Sequence, residues 1–266
     1  MDSTMDSTTL STLVVIPGFG QPMFQRKCEI LRHNLQRLMP LTQRGPVAVR
    51  IFCYADVNDP DVQHLLTVQS DFMALNVSVS FEKGIIGHFL VRHITPEYLR
   101  AGDFHRVVLL LDDVELDAGF DWHYLERARA KLGLDIVSPA LAQRSMAWWG
   151  CMVHQPGGPE ARIMNMLELF CYYMTARAYE RYWSFLDADN PWMWGCDCII
   201  SSHMHLRIGL MNRLKIHHYF NSPKSPDMPN ASTDSARYLE RRGTSWAKVR
   251  GNASRYDSVQ CIELDS

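Results

Sequence analysis

Residues 107–115 have the sequence VVLLLDDVE, in which a fully apolar run leads directly into three acidic residues. An apolar run of this length predicts a strand buried on both faces. Carboxylates at the end of a buried strand are costly unless they are paired or bind a ligand. Because side chains alternate along a strand, we expect Asp113 and Glu115 on one side and Asp112 on the other. Two carboxylates on one side favour a hard divalent cation, Mg²⁺ or Mn²⁺, whereas a helix cap or ordinary loop acids would explain them without a metal.

Apolar runs earlier in the chain predict further strands, which alternate with segments of helical spacing. The strands are predicted at 12–16, 47–54 and 77–81, and the helices at 28–39, 61–75 and 84–92. This alternation indicates an α/β domain with a mostly parallel central sheet. Ligands of such sheets bind beyond the carboxyl ends of the strands, where Pro17, Gly18 and Asp56 would meet the acidic segment.

The second half of the chain is less regular. It predicts a helix at 121–132, strands at 136–138 and 147–153, a β-prone run at 167–174, a helix from Thr175 to Leu186, a helix at 199–210 and a last strand at 214–220. Proline, serine and asparagine accumulate from Asn221 onward, which indicates a loosely ordered tail.

Composition limits the classes of protein that the chain can represent. The 266 residues are 47% hydrophobic and carry a formal charge of -2. This allows a sizeable core and gives no bulk attraction to nucleic acid or anionic membranes. We find no apolar stretch near the roughly 20 residues that span a bilayer. Seven scattered cysteines and a polar, acidic N-terminus predict reduced thiols and no signal peptide, so we expect a cytoplasmic protein.

The segment WMWGCD, residues 192–197, combines aromatic rings, a glycine and an acid. Indole faces suit the apolar faces of sugar rings, and glycine allows a ligand to approach the backbone closely. The carboxylate of Asp197 could take a proton from a hydroxyl group. A turn with buried tryptophans and a capping aspartate would also explain the segment.

Two of these segments resemble motifs of the GT-A glycosyltransferases. Asp113-x-Glu115 resembles their Asp-x-Asp motif, although glutamate replaces the last aspartate, and Asp112 could serve instead if the register differs by one. Trp194-Gly195-x-Asp197 resembles the Trp-Gly-x-Asp/Glu element of the inverting enzymes. Over roughly residues 12–220, the order of motifs resembles glycosyltransferases of large algal viruses and of a related plant family, and a viral protein would act in the host cytoplasm.

The resemblance implies a GT-A-like (Rossmann-like) three-layer sandwich that transfers a sugar from a UDP- or GDP-sugar to a glycan or other hydroxyl acceptor. Asp113 would face the donor, and Asp113 and Glu115 would hold Mn²⁺ or Mg²⁺. Asp197 would be the general base, with Glu168 as the second choice. A downstream histidine would complete the metal site, and the residues favour His217 slightly over His218. Pro17, Gly18, Asp56 and Asp112 would contact the nucleotide.

The expected organisation is a disordered N-terminus at 1–11, a catalytic domain at 12–220 and a tail at 221–266 that is loosely ordered or packs over the donor. Two other functions fit the same residues. One is a metal-dependent nucleotidyltransferase or phosphohydrolase, which would use the same acids and metal. The other is a non-catalytic module that binds nucleotide sugars or carbohydrate.

Overall fold

The computed structural model describes residues 9–147, 149–219 and 230–253. Its central element is a nine-stranded sheet. The first half of the chain forms β1 (Thr12–Phe19), α1 (Phe24–Leu38), β2 (Val47–Cys53), α2 (Val62–Asp71), β3 (Val77–Phe81), α3 (Ile86–His93), α4 (Pro96–Ala101), β4 (Arg106–Leu110) and β5 (Val114–Leu116). The second half forms α5 (Trp122–Lys131), β6 (Ile136–Leu141), β7 (Ala161–Met164), β8 (Cys171–Thr175), α6 (Ala176–Trp183), β9 (Ile208–His218), α7 (Ala231–Arg241) and α8 (Trp246–Ala253).

The strand order is β3-β2-β1-β4-β8-β6-β9-β5, with β7 paired to β9. Strands β3, β2, β1 and β4 are parallel, as the alternation of strands and helices predicts, and β6 is parallel to β9. The antiparallel β8 links these two groups. The apolar run that ends in the acidic segment is β4, and its Val107, Val108, Leu109 and Leu110 are fully buried. The predicted α/β class with a mostly parallel sheet is therefore confirmed.

Strand β9 is long and irregular, and it carries the two histidines of interest at its end. Its first part pairs with β6 up to Met211, which lies opposite Pro139, but the next residue of β6, Ala140, lies opposite Lys215. The residues at 212–214 therefore bulge out of register with β6. Beyond the bulge, β9 pairs with β5, so that His217 lies opposite Glu115.

Local sequence signals fix several helix starts. Thr175 caps α6 through its hydroxyl, which accepts a hydrogen bond from the backbone N–H of Ala178 at 3.1 Å. Thr95 caps α4 in the same way, with Pro96 in the first turn. The helix start at Thr175 was predicted from the sequence.

Two predicted elements of the second half are wrong. The described residues of this stretch, 147 and 149–153, do not form a strand; they contain a short 3₁₀ turn at Gly150–Met152 and a single β-bridge from Val153 to Leu141. Residues 199–210 do not form a helix, because turns occupy 199–204 and β9 begins at Ile208. The apolar residues of those turns, Ile199 and Ile200, are fully buried, so core packing rather than a helix explains the pattern. Strand β7 has no counterpart in the prediction.

The C-terminal region differs from the loosely ordered tail that we expected. Within residues 230–253 it forms α7 and α8, and Tyr238 and Leu239 of α7 are fully buried. The expectations for residues 1–8, 220–229 and 254–266 lie outside the described residues. Within the described ranges, we find no helix that combines the length and the apolar character needed to cross a membrane.

Candidate active site

The acidic segment forms a turn at the end of β4. Asp112 and Asp113 lie in this turn, and the backbone N–H of Val114 donates to the carbonyl of Leu111 at 3.4 Å. The three acids have three different sets of partners. The expectation that Asp113 and Glu115 share one side stays a prediction.

Asp112 is held by a buried lysine. Its Oδ2 lies 2.8 Å from the Nζ of Lys27 and accepts a bond from the backbone N–H of Gly20 at 3.3 Å. Lys27 also donates to the carbonyl of Gly20 at 2.8 Å, and its side chain is only 4% exposed. Burial raises the pKa of Asp112, opposed by the charge of Lys27 and supported by that of Asp113. Asp112 thus ties together the carboxyl ends of β1 and β4 and the first turns of α1.

Asp113 is buried beside His218. Its Oδ2 lies 3.3 Å from the Nε2 of His218, while its Oδ1 is buried and has no hydrogen-bond partner among the described residues. The Nδ1 of His218 lies 2.7 Å from the carbonyl oxygen of Met146. A carbonyl only accepts, so Nδ1 carries the proton and a neutral His218 turns the Nε2 lone pair toward the Asp113 carboxylate. Two acceptors then face each other, and either a proton or a cation must lie between them.

This pair fits a divalent cation. Histidines that bind metals donate their other ring N–H to a carbonyl or carboxylate, as His218 does to Met146. Neighbouring ligands of an octahedral ion at about 2.1 Å are about 3.0 Å apart, close to the 3.3 Å between Nε2 and Oδ2. No third histidine, cysteine or acid joins them as a ligand set in residues 9–147, 149–219 and 230–253. Mg²⁺ and related ions commonly bind one or two protein groups and complete their shell with water and substrate phosphates.

The pKa of His218 depends on its burial and on its contact with Asp113. Burial by itself lowers the pKa of His218, but the hydrogen bond and the charge of Asp113 outweigh burial and raise it. The ring of Phe170 packs against the imidazole, with 4.7 Å between ring centroids. His218 is therefore held in place by a carbonyl, an acid and an aromatic ring.

Glu115 and His217, which the sequence placed in the metal site, have other partners. Glu115 lies 3.4 Å from the Nη2 of Arg26 and 3.9 Å from the Nε2 of His33. The Nε2 of His217 lies 3.3 Å from the Oδ1 of Asp117. The structure thus joins His218, rather than the slightly favoured His217, to the acidic turn.

The predicted nucleotide contacts near β1 and β2 lie in different surroundings. Pro17 and Gly18 belong to β1 itself rather than to a loop, and Gly18 has a left-handed backbone with φ 108°. Asp56 is exposed, and its carboxylate accepts bonds from the backbone and side-chain amides of Asn58 at 2.9 and 3.0 Å. Asp56 therefore shapes a local turn and is not joined to the acidic residues.

Asp197 lies in the loop between α6 and β9. Its Oδ1 is buried without a hydrogen-bond partner among the described residues. Burial raises its pKa to about 6, although bonds from the thiol of Cys198 and from backbone amides partly lower it. A carboxyl group with this pKa is mostly ionised at neutral pH and still a competent proton acceptor.

Glu168 acts on both the Asp113–His218 pair and the loop that carries Asp197. It is 5% exposed, and its Oε1 accepts a bond from the backbone N–H of Trp149 at 2.7 Å. Its charge acts on His218 and on Cys198, the neighbour of Asp197. The backbone N–H of Leu167 also donates to the carbonyl of Asp197 at 3.4 Å. Glu168 is thus close enough to act on both His218, which contacts Asp113, and Cys198, which follows Asp197.

Sequence reasoning missed two residues of this region. Lys27 lies on the buried face of α1, and a lysine among apolar helix positions is a signal that a buried acid needs a partner. Arg26 holds Glu115 and lies over the ring of Tyr219 at 5.4 Å. It occupies an ordinary half-buried helix position, so the sequence carries no signal for it.

The fold is of the α/β class, with a mostly parallel central sheet. No protein-family profile matches the sequence, and no curated protein matches it significantly. Among solved structures, GalNAc-T7 with UDP, GalNAc and Mn²⁺ is similar at a TM-score of 0.54 and 12% identity, over 87% of this chain and 48% of that chain. TarS (residues 1–349) from S. aureus, in complex with UDP, is similar at a TM-score of 0.50 and 13% identity, over 91% and 68%.

This chain therefore spans about half the length of GalNAc-T7. At 12–13% identity the likeness shows the fold alone, and the predicted GT-A-like fold is confirmed.

Proposed function

We propose that this protein is a metal-dependent glycosyltransferase, which moves a sugar from a nucleotide-diphosphate sugar to an acceptor hydroxyl with inversion at the anomeric carbon. The observation that carries the proposal is the pair formed by the buried Asp113 and the partly buried His218, 3.3 Å apart, at the carboxyl end of β4 in a GT-A-like fold. The two similar structures both contain UDP, and that of GalNAc-T7 also contains Mn²⁺.

Asp113 and His218 would hold the cation, Mn²⁺ or Mg²⁺. When bound, the ion would neutralise charge on the departing diphosphate. Asp112 would orient the donor. Both of its hydrogen-bond or ion-pair contacts among the described residues use Oδ2, so Oδ1 is available to accept a bond from a donor hydroxyl. Lys27 fixes this carboxylate from behind and would keep it from rotating.

Asp197 would act as the general base. Its Oδ1 would accept the proton of the acceptor hydroxyl while the acceptor oxygen forms a bond to the anomeric carbon. The bond from that carbon to the diphosphate oxygen breaks on the opposite side, and the nucleoside diphosphate leaves with the electron pair. A pKa of about 6 suits this role at neutral pH. Glu168 suits it less, because its Oε1 is already engaged by the backbone of Trp149.

The decisive experiment compares two adjacent histidines. We would measure UDP binding by thermal shift and calorimetry, with and without Mn²⁺, for the wild type, His218→Ala and His217→Ala. A metal ligand that is lost should weaken metal-dependent UDP binding by at least about tenfold, the lower end of what even an outer-shell partner contributes. His217→Ala removes the same group one residue away and should retain binding. Equal binding in both variants, or wild-type binding that ignores Mn²⁺, would overturn the proposed metal site.

The reaction itself is tested by its products. Incubation with Mn²⁺ and a panel of UDP- and GDP-sugars should release a nucleoside diphosphate in step with sugar transfer. Release of pyrophosphate or inorganic phosphate would instead identify a nucleotidyltransferase or a phosphohydrolase. Binding of the donor without turnover, for every acceptor in the panel, would point to a non-catalytic module.

A further inference from the structure

The loop that carries Asp197 is irregular but tightly built. Its Met193 and Gly195 both have left-handed backbones, with φ of 60° and 87°. The side chain of Asn190 braces the loop by donating to the carbonyl of Trp194 at 2.9 Å, and the backbone N–H of Met193 donates to the carbonyl of Asn190 at 2.9 Å. Glycine adopts this backbone freely, whereas at Met193 it is strained, and such strain persists only where the surroundings hold it.

Helix α7 supplies part of those surroundings. The hydroxyl of Tyr238 donates to the carbonyl of Phe185 at 3.0 Å and is also hydrogen-bonded to the thiol of Cys196. Leu239 packs on the backbone of Gly195, where a Cβ would lie 3.2 Å from its side chain. Both Tyr238 and Leu239 are fully buried. The helix therefore contacts the two residues that directly precede Asp197.

Two arginines anchor the C-terminal end of α7, one of them at the Phe185 carbonyl that also accepts from Tyr238. Arg241 pairs with Asp187 at 2.5 Å. Arg242 donates to the carbonyl of Phe185 at 3.2 Å and lies over its ring at 4.8 Å. These bonds fix α7 to the segment after α6, so that Tyr238 and Leu239 press on the loop from a fixed base.

We propose that α7 is a positioning element of the active site, in which Tyr238 and Leu239 hold the backbone at Gly195 and Cys196 and so set the direction of the Asp197 carboxylate. This inference rests on the proposed function of Asp197. The Oδ1 of that carboxylate has no hydrogen-bond partner among the described residues, while the carboxylate accepts bonds from the thiol of Cys198 and from backbone amides of its own loop. The loop backbone therefore sets its direction, and α7 packs against this loop at Gly195 and Cys196.

The test separates positioning from general stability. We would prepare Leu239→Ala and Tyr238→Phe, and use Tyr179→Phe as the matched control. Tyr179 is equally buried, and its hydroxyl donates to the carbonyl of Ile94 at 2.8 Å, away from the loop. Each variant is compared by hydrogen exchange at residues 190–198, by donor affinity with Mn²⁺, and by kcat for transfer.

Leu239→Ala and Tyr238→Phe should speed amide exchange in the loop and lower kcat, by up to the roughly 100-fold that follows a displacement of about 1 Å. Donor affinity should not change, because Asp113 and His218 lie outside the contacts that are altered. The control should leave both the loop exchange and kcat at wild-type levels. Should Leu239→Ala fold too poorly, Tyr238→Phe removes a single oxygen and keeps the ring.

Unchanged loop exchange in both α7 variants would overturn the inference, whether or not the protein transfers sugar. Faster loop exchange with unchanged kcat would show that α7 does not position the base. If the wild type transfers no sugar while the loop responds as described, the structural link stands and the proposed function fails instead.

Discussion

Replacing Asp197 with asparagine should make the protein more stable at neutral pH while it removes the base. Burial raises the pKa of this carboxyl from 3.8 to about 6. The folded state therefore binds the proton more tightly than the unfolded state does. As the pH rises from about 4 to about 6, folding must increasingly oppose the ionisation of Asp197, and the free energy of unfolding falls.

The size of the effect follows from the two pKa values. A difference of about 2.2 units corresponds to about 3 kcal/mol once both states are ionised, above pH 7. At pH 5 the unfolded state is mostly ionised and the folded state is not, so the penalty is about 1.6 kcal/mol. Asparagine has nearly the same shape and does not ionise. The stability advantage of Asp197→Asn should consequently widen by about 1.4 kcal/mol between pH 5 and pH 8.

Urea denaturation of both proteins at pH 5, 6, 7 and 8 measures this advantage. Asp56→Asn removes an exposed carboxylate and controls for the change in net charge, since solvent screens an exposed charge. In the same preparations, Asp197→Asn should keep metal-dependent UDP binding and lose transfer by at least about 100-fold. A constant advantage across the pH range, or a variant less stable at pH 8, would refute the burial of an ionised carboxylate at this position.

Two further substitutions probe the packing of the site by urea denaturation. Lys27→Met leaves the buried carboxylate of Asp112 without its partner and should lower the free energy of unfolding by about 3–5 kcal/mol. The double variant with Asp112→Asn should recover a part of this loss. A double variant as unstable as Lys27→Met would argue against the ion pair. Gly195→Ala meets both a left-handed backbone and the side chain of Leu239, and should cost about 1–3 kcal/mol. Gly157→Ala has a similar φ, 68°, but open space around it, so a cost as large as that at Gly195 would show that contact with Leu239 is not felt.

The first half of the fold could be predicted from the sequence because its signals are local. Apolar runs of strand length, such as Leu13 to Ile16, are fully buried in parallel strands, and threonine caps mark where helices begin. The second half depends on long-range pairing. Residues 199–210 have helical spacing but do not form a helix. Their last residues, from Ile208, belong to β9, because they pair with β6 and β7. Propensity in one segment cannot reveal a partner 70 residues away.

The candidate site shows the same division. The acids at 112, 113 and 197 were found because charge beside apolar segments is visible in the sequence. The partners of Glu115 could not be predicted, because Arg26 and His33 lie on helix α1, far from Glu115 in the sequence. The packing of α7 on the loop that carries Asp197 was not predicted, because the polar composition from Asn221 onward indicated a loosely ordered tail. The resemblance to algal viral and plant enzymes stays a prediction, since no sequence relative supports it.

The bulge at 212–214 in β9 decides which side chain meets Asp113. If one residue were inserted there, the strand end would advance by one position, and His217 would stand where His218 stands now. Asp113 would still face an imidazole. If one residue were deleted, Tyr219 would take that position, and a phenol would replace the nitrogen ligand. In the contact with Asp113 the histidine doublet therefore tolerates lengthening but not shortening of β9, although either change would also move the buried Ile216 out of its core position.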